Sequence, residues 1–283
     1  MEFGRDKTTD ISTIDYSLPL GDDSILPGIP DPDFKFYLGT GKNGKPEWCG
    51  NLYPERLPDK ERMLEYGKHF NFLELNGSFY NVPTREVAER WANAVRNSPG
   101  FKFTPKICRT ISHIKRLKGV DEETQEFIDF CKIFGDALGP AFIQAGDNFS
   151  VKNFQDVEAY LLSIPEDFRL NIELRHESWF QPEAFKRVTD LLEDFDIGLV
   201  ITDTNLRRDA LHMHLTNGCV HIRFNGNNNH ITDRLRLEQW NERILAWKSK
   251  GVKDVYFALH QPDDATFHES VKIAKDVFSE LLK

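Results

Sequence analysis

Residues 171–179, which read Asn-Ile-Glu-Leu-Arg-His-Glu-Ser-Trp, crowd several chemically active side chains together. Glu173, Arg175, His176 and Glu177 place two carboxylates, a guanidinium and an imidazole within five positions. Such groups are costly to remove from water unless they pair with one another or with a ligand. The stretch is therefore a candidate site. The alternative is an ion-pair network that only fixes the end of a strand.

As a β-strand, this stretch places Asn171, Glu173 and Arg175 on one face, because side chains alternate with a period of two. The intervening apolar residues fall on the other face, and His176 shares their parity. We therefore expect Glu173 and Arg175 to act together, whereas His176 is expected to orient the residues that follow it.

The composition is that of an ordinary globular protein, with 283 residues, 40% hydrophobic and 29% charged. No apolar run approaches the roughly 20 residues that span a bilayer, and residues 1–7 lack the apolar core of a secretion signal. We therefore expect a cytoplasmic protein with no membrane partner. The four widely spaced cysteines are expected to be reduced thiols.

The rest of the chain supplies a regular alternation of strands and helices that could position this site. The predicted strands are 36–41, 71–76, 102–107, 141–145, 169–175, 197–203, 219–225 and 254–260. Eight such units over about 250 residues predict an α/β fold of the TIM-type (β/α)8 barrel class. The barrel is expected to be irregular around strands six to seven, because residues 204–218 show no long helical pattern.

A doubly wound open sheet is the alternative fold. Its nucleotide-binding versions lose support because no Gly-x-Gly-x-x-Gly follows the first strand and no Gly-x-x-x-x-Gly-Lys-Ser/Thr occurs. Two parts of the chain are predicted. Residues 1–35, rich in Pro, Gly and Asp, are expected to form an irregular N-terminal arm, and residues 36–283 the barrel domain.

The inward faces of the predicted strands are unusually polar. In a barrel the apolar face of each strand packs against the helices, so the other face points inward. Residues near the C-terminal strand ends fall where this fold builds its active sites. The predicted substrate-binding residues of this group are Asn76, Lys106, Arg175, Arg223, Asn225 and His260.

Glu74 and Glu173 are the predicted catalytic residues, as general acid or base, because burial raises the pKa of a carboxyl group and nearby cations lower it. Lys106 could form a Schiff base if its pKa were depressed, but we favour an oxygen-binding cation. No metal site is predicted, since no His-Glu-x-x-His occurs and crowded cations disfavour a metal ion. The sequence leaves any cofactor unknown.

The charge types favour an anionic small molecule as ligand. Lys106, Arg175 and Arg223 converge from three predicted strands, and residues 109–118 form a basic loop. Guanidinium groups match the oxygens of carboxylates and phosphates. A nucleic-acid partner is possible but disfavoured by the net charge of −9.

The sequence resembles the YecE-like family, the domain of unknown function numbered 72, over about residues 36–280. The resemblance lies in Pro46-Glu47-Trp48-Cys49-Gly50, Glu74-Leu75-Asn76 with Phe79-Tyr80, Phe101-Lys102-Phe103 with Lys106, His113 with Arg116-Leu117-Lys118-Gly119, and Glu173 to Trp179. It implies a TIM-type barrel. His113, from the basic loop, and Tyr80, from the motif Phe79-Tyr80, complete the expected substrate-binding residues. The family has no established activity to carry over.

Two segments depart from the family pattern. Residues 39–45 read Gly-Thr-Gly-Lys-Asn-Gly-Lys where similar sequences usually have Gly-Thr-Ser-Gly-Trp-Ser-Tyr, and the ends of the last two predicted strands also differ. These loops could therefore recognise a different ligand.

These observations predict an enzyme, a hydrolase or isomerase, that acts on a phosphate- or carboxylate-bearing substrate at the C-terminal end of the barrel. A non-catalytic protein that binds an anionic metabolite is one alternative. A nucleic-acid phosphodiesterase and a scaffold with a polar core are the others.

Overall fold

The computed structural model describes residues 10–283. Within them, nine strands alternate with the helices. The strands are β1 Lys35–Thr40, β2 Phe72–Leu75, β3 Lys102–Pro105, β4 Ala141–Gln144, β5 Leu170–Glu173, β6 Gly198–Leu199, β7 Ile201–Asp203, β8 Cys219–Asn225 and β9 Asp254–His260. The α-helices are α1 Arg62–His69, α2 Gly77–Tyr80, α3 Arg85–Ala94, α4 Asp121–Lys132, α5 Phe154–Ser163, α6 Pro182–Asp194, α7 Ile231–Lys250 and α8 Phe267–Val277.

The strands form two parallel sheets. Six strands lie in the order β3-β2-β1-β9-β8-β7, and three lie in the order β4-β5-β6. Every pairing is parallel, as expected where helices connect successive strands. The chain thus has an α/β fold with parallel sheets, whose C-terminal strand ends lie on the same side.

The two sheets approach each other at two places. An isolated parallel bridge pairs Lys106, just after β3, with Phe142 of β4. At the other junction only Val200 separates β6 from β7, and its N–H donates to the carbonyl of Ile172 in β5. The next residue, Ile201, already pairs with β8.

The strand predicted over residues 197–203 is observed with one interruption, at Val200. This segment leaves the smaller sheet at Val200 and enters the larger one, so its two ends hydrogen-bond to different neighbours. Alternation of side chains cannot reveal such a transfer, because the backbone remains extended throughout.

Both faces of the strands are buried. The outward face is apolar and packs against the helices, as Phe103, Ile172 and Phe257 illustrate. On the inward face, the rings of Tyr37 and Tyr256 stack with centroids 4.5 Å apart. These aromatic residues fill the space between the strands below the polar groups described next.

Residues 10–34 run along the outside of this body. Apart from a short 3-10 turn at Ile11–Thr13 they form no helix or strand. Tyr16 is buried against the arginines of neighbouring segments, and the N–H of Gly28 donates to the carbonyl of Lys250 at the end of α7. Residues 1–9 of the predicted arm lie outside the described residues, and the predicted domain division stays a prediction.

Candidate functional site

The polar residues predicted to face inward come together at the C-terminal strand ends. Glu74 lies in β2, Gln144 and Glu173 end β4 and β5, and Arg223 lies in β8. Lys106 follows β3 directly. Each position is fixed by the alternation of its strand, since the apolar neighbours face the helices.

Arg223 is the centre of this group. Its Nε and Nη2 donate to the two oxygens of Glu74, at 2.8 and 2.9 Å, while Nη1 donates to Glu173 at 2.6 Å. Both carboxylates are fully buried, and Arg223 is 7% exposed. A planar guanidinium can bind one carboxylate with two donors and still reach a second one.

Glu173 has two further donors. Nε of Arg175 lies 2.7 Å from one oxygen, and the amide nitrogen of Gln144 lies 2.8 Å from the other. Burial alone raises the pKa of this carboxyl group, but Arg175 and Arg223 outweigh it and hold the pKa well below its usual range. Glu173 is therefore an ionised carboxylate whose two oxygens both accept hydrogen bonds.

Glu74 is held in a similar way. Beyond Arg223, it accepts a hydrogen bond from Asn76 at 2.8 Å, and Nε2 of His221 and of His260 lie 3.4 and 3.3 Å away. These imidazole contacts are within ion-pair distance but lack hydrogen-bond geometry. Burial raises the pKa of Glu74, yet Arg223 and His260 together bring it well below its usual value. The predicted proton-transfer role of both glutamates stays a prediction. It is not favoured by the hydrogen bonds and ion pairs that already occupy the oxygens of both carboxylates.

Lys106 has a different environment. Its Nζ donates to Oε1 of Gln144 at 2.7 Å and lies 4.1 Å from the centre of the Phe79 ring. Within residues 10–283 no carboxylate oxygen lies within 4 Å of this nitrogen. Burial and the nearby Arg223 lower the pKa of Lys106 to about 7, although Glu173 and Glu74 oppose the shift. Both the amine and the ammonium are thus populated near neutral pH.

His113 and Tyr80 meet this group through Phe79. The His113 ring packs edge-on against Phe79, with centroids 5.0 Å apart, and its Nδ1 lies 2.9 Å from the hydroxyl of Ser112. Burial and the charge of Lys106 lower the pKa of His113, which favours the neutral imidazole. Tyr80 also packs against Phe79 but is 74% exposed, so it lies at the outer edge.

Asn225 and the basic loop have hydrogen-bond or ion-pair partners of their own. The carbonyl of Asn225 accepts a hydrogen bond from Arg236, which draws this strand end toward α7. In the loop, Lys115 pairs with Glu123 at 2.5 Å, and Lys118 pairs with Asp156 at 3.2 Å. Arg116 donates to the carbonyl of Asn148. Local acceptors thus bind these three cations, and the expected contribution of the loop to an anion site stays a prediction.

Gln144, His221 and Asp147 are members of the site that the predicted set omitted. Gln144 links Lys106 to Glu173, and its inward parity on the fourth strand was the signal that could have included it. Asp147 lies 3.7 Å from Arg175 and comes from the loop after β4, where no periodicity indicates a direction. His176 instead accepts the N–H of Ser178, so it caps a short 3-10 helix outside the group.

Gly41 allows the loop after β1 to approach the site closely. A Cβ atom at this position would lie 2.3 Å from the amide nitrogen of Asn76 and 2.9 Å from the His260 ring. The absence of a side chain there lets both residues reach Glu74.

Two surface cavities lie away from this group. One of about 730 Å³ opens at the N-terminal strand ends beside Arg169 and Asn171, and one of about 670 Å³ lies beside Gly100 and Asp136. The partly exposed side chains of the group include Asn76, Asp147, Arg175 and His260. A ligand at the C-terminal end would therefore meet the group at these side chains.

Two further findings concern the described part of the chain. Among residues 10–283, no cluster of three or more His, Cys, Asp or Glu side chains is arranged to hold a metal ion. None of the helices in this range is long and apolar enough to cross a membrane. The predicted cytoplasmic location stays a prediction.

The matched motifs and this geometry can be compared with known proteins. A family model described as "Protein of unknown function DUF72" matches residues 37–281. The chain belongs to the DUF72 family. This confirms the predicted resemblance. The DUF72 chain is 27% identical to UPF0759 protein YecE of Escherichia coli K12 over 254 residues, which cover 83% of this chain and 89% of that protein. It is 23% identical to UPF0759 protein YunF of Bacillus subtilis over 50% of this chain and 52% of that protein.

Solved structures of DUF72 proteins share the fold. A crystal structure from Thermotoga maritima is similar with a TM-score of 0.65 at 22% identity, covering 88% of this chain and 100% of that chain. One from Enterococcus faecalis gives a TM-score of 0.61 at 18% identity, covering 87% and 98%. At these identities the likeness concerns the fold of this DUF72 chain alone.

Proposed function

We propose that this DUF72 protein is an enzyme that acts on a small anionic molecule at the C-terminal end of a (β/α)8 barrel. In this proposal the two sheets are parts of one barrel, joined at the Lys106–Phe142 bridge and through Val200. The substrate carries a phosphate or carboxylate group, as predicted from the sequence. The barrel end then supplies both the binding groups and the reacting groups.

The observation that carries the proposal is the environment of Lys106. Its nitrogen is buried, yet it is bound by a neutral amide and an aromatic ring rather than by a carboxylate. A buried ammonium without an anionic partner is unfavourable, so an external anion would stabilise it. Arg175, with a side chain 15% exposed, lies where it can contact the same anion from the solvent side.

The remaining charges supply a rigid base for this site. Arg223 binds Glu74 and Glu173 at the same time. Gln144 donates a hydrogen bond to Glu173 and accepts one from Lys106, so the position of Lys106 is fixed relative to the same group. Groups held in this way need little reorganisation when charge develops on a substrate. For proton transfer, Lys106 and His113 are better placed than the two glutamates, since both have a neutral form near pH 7.

Titration calorimetry with inorganic phosphate, sulfate and citrate tests the binding part of the proposal. We expect wild-type protein to bind at least one of these anions and Lys106→Met to bind it at least about tenfold more weakly. Lys102→Met is the matched control, because Lys102 begins the same strand and donates to the carbonyl of Asp136 at the opposite end. Equal binding by wild type and Lys106→Met would overturn the proposal.

A non-catalytic anion-binding protein is the second candidate, and the close ion pairing of both glutamates favours it. For a substrate found by screening, the enzyme predicts that His113→Gln lowers turnover with little change in affinity. The binding protein predicts no turnover by wild type. Cleavage of nucleic acid is a weaker alternative, which an absence of DNA and RNA binding at low salt would remove.

A further inference from the structure

We infer that Lys106 forms an imine with an aldehyde or ketone substrate that carries an anionic group. This inference rests on the proposed anion site and names the substrate class. Its basis is the set of groups around the Lys106 nitrogen, which differ from those around the other cations of the site. Arg223 and Arg175 each pair with a carboxylate, whereas Lys106 is bound by the amide oxygen of Gln144.

The contacts of Lys106 are those of a nucleophilic amine. One hydrogen bond, to Oε1 of Gln144 at 2.7 Å, orients the nitrogen without neutralising a charge. The Phe79 ring covers one side at 4.1 Å, and the residue is 7% exposed. Desolvation and neighbouring cations are the two conditions that make a lysine amine available for addition to a carbonyl group.

The nearby cations supply the second condition and a place for the anionic group. Arg223 and Arg175 both repel a proton on Lys106, and Arg175 is the one that reaches solvent. A substrate carboxylate or phosphate beside Arg175 would bring an adjoining carbonyl carbon toward Lys106. His113, which packs on the same Phe79 ring, can then exchange protons with the carbonyl oxygen.

The step balances without an external oxidant or reductant. The lone pair of Nζ forms a bond to the carbonyl carbon while the π electron pair of the C=O bond moves to oxygen. The proton lost from nitrogen passes to that oxygen, which gives a carbinolamine. Protonation of the hydroxyl group then allows water to leave, and the C=N bond forms. The product is a protonated imine, which can stabilise negative charge developing on the adjacent carbon.

Reductive trapping tests the inference on the full chain. Wild-type protein is treated with glyoxylate and sodium cyanoborohydride at about pH 7, and the carboxymethyl-lysine formed is located by peptide mapping. An ordinary lysine, with a pKa near 10.4, is less than about one part in 1,000 amine at this pH. We expect Lys106 to react at least about tenfold faster than exposed lysines such as Lys60.

Three controls sharpen the experiment. Acetaldehyde, which lacks the anionic group, should label Lys106 several-fold more slowly, and inorganic phosphate should slow labelling by glyoxylate. Lys106→Arg should lose the fast-reacting site with an unchanged thermal unfolding midpoint. The competition between phosphate and glyoxylate uses wild-type protein alone. It therefore tests the inference even if the Lys106→Arg variant folds poorly.

The possible failures are distinguishable. Slow or absent labelling of Lys106 in a protein that binds phosphate overturns the imine and leaves the proposed anion site standing. Equal labelling by glyoxylate and acetaldehyde, without protection by phosphate, overturns the anionic substrate class. Calorimetry that detects no anion, with fast labelling of Lys106 by both aldehydes, overturns the proposed anion site itself.

Discussion

Arg223 binds Glu74 through two hydrogen bonds of 2.8 and 2.9 Å, in a pair that is almost fully buried. The two residues are 149 positions apart in the sequence and belong to β8 and β2. Because the same guanidinium also binds Glu173, one cation binds carboxylates from two sheets. Buried carboxylates depend strongly on such a partner, since water cannot replace it.

Replacement of Arg223 by Met should therefore destabilise the protein severely. Glu74 and Glu173 would both lose a buried donor, and removal of one partner from a buried ion pair costs about 3–5 kcal/mol. The free energy of unfolding, measured by urea denaturation near pH 7, checks this. Arg234→Met is the control, because the pairs of Arg234 with Glu238 and Asp276 are exposed, and we expect no measurable change. A loss for Arg223→Met no larger than that of the control would contradict the burial argument.

Acid should weaken the same network. The pKa of Glu173 in the folded protein lies below its ordinary value of 4.5, which applies to the unfolded chain. Its ionisation therefore stabilises the fold above about pH 4.5, and this stability is lost as the pH falls from there toward the folded pKa. Glu173→Gln cannot ionise, so the gap in unfolding free energy between wild type and this variant should narrow between about pH 6 and pH 3. A gap that stays constant over this range would show that Glu173 is not held ionised.

Lys106 should give a slope of the same sign at alkaline pH, because its folded pKa is also lowered. Its folded pKa of about 7 lies below the 10.5 of the unfolded chain, so the unfolded chain binds more protons between these values. Wild-type stability relative to Lys106→Met should thus rise by roughly 1–2 kcal/mol between about pH 7 and pH 9. Urea denaturation at the two pH values measures this difference. Lys102→Met, with an exposed cation at the other end of β3, should show no such rise.

The arm should loosen when Tyr16 is replaced by Ala. The Tyr16 ring lies 5.5 Å from the guanidinium of Arg208 and 5.4 Å from that of Arg236, and its carbonyl accepts a hydrogen bond from Arg208. Loss of these cation–π contacts and of the buried ring should cost roughly 2 kcal/mol. Hydrogen exchange of the backbone amides of residues 14–20 should become faster.

Leu20→Ala is the control for this variant, since Leu20 is 96% exposed. It should leave hydrogen exchange in the arm unchanged. Equal exchange rates in wild type and Tyr16→Ala would mean that contacts elsewhere hold this segment in place.

The regular part of the fold was readable from the sequence. The strands predicted at 219–225 and 254–260 are observed residue for residue, because strong β-branched and aromatic alternation coincides with burial on both faces. The transfer of the chain between sheets at Val200 was not readable. It depends on which neighbours the backbone finds, and extended backbone looks the same in either sheet.

The core of the candidate site could also be predicted, since parity along each strand placed Glu74, Glu173 and Arg223 on the inward faces. The alternation of side chains along a strand could not predict which charged groups would bind one another. Lys115 and Lys118 looked like rim cations, but each bends to a nearby acid, Glu123 and Asp156. Long side chains on loops have no periodicity that fixes their direction, so sequence patterns fail there.

The shared guanidinium of Arg223 also has an evolutionary consequence. Loss of Arg223 alone leaves two buried charges, and loss of either glutamate leaves the arginine poorly matched. A lineage can abandon the arrangement only through several substitutions, whose intermediates are unstable. Across DUF72 sequences, the residues aligned with Glu74, Glu173 and Arg223 should therefore be retained or replaced as a set, and the three positions should covary.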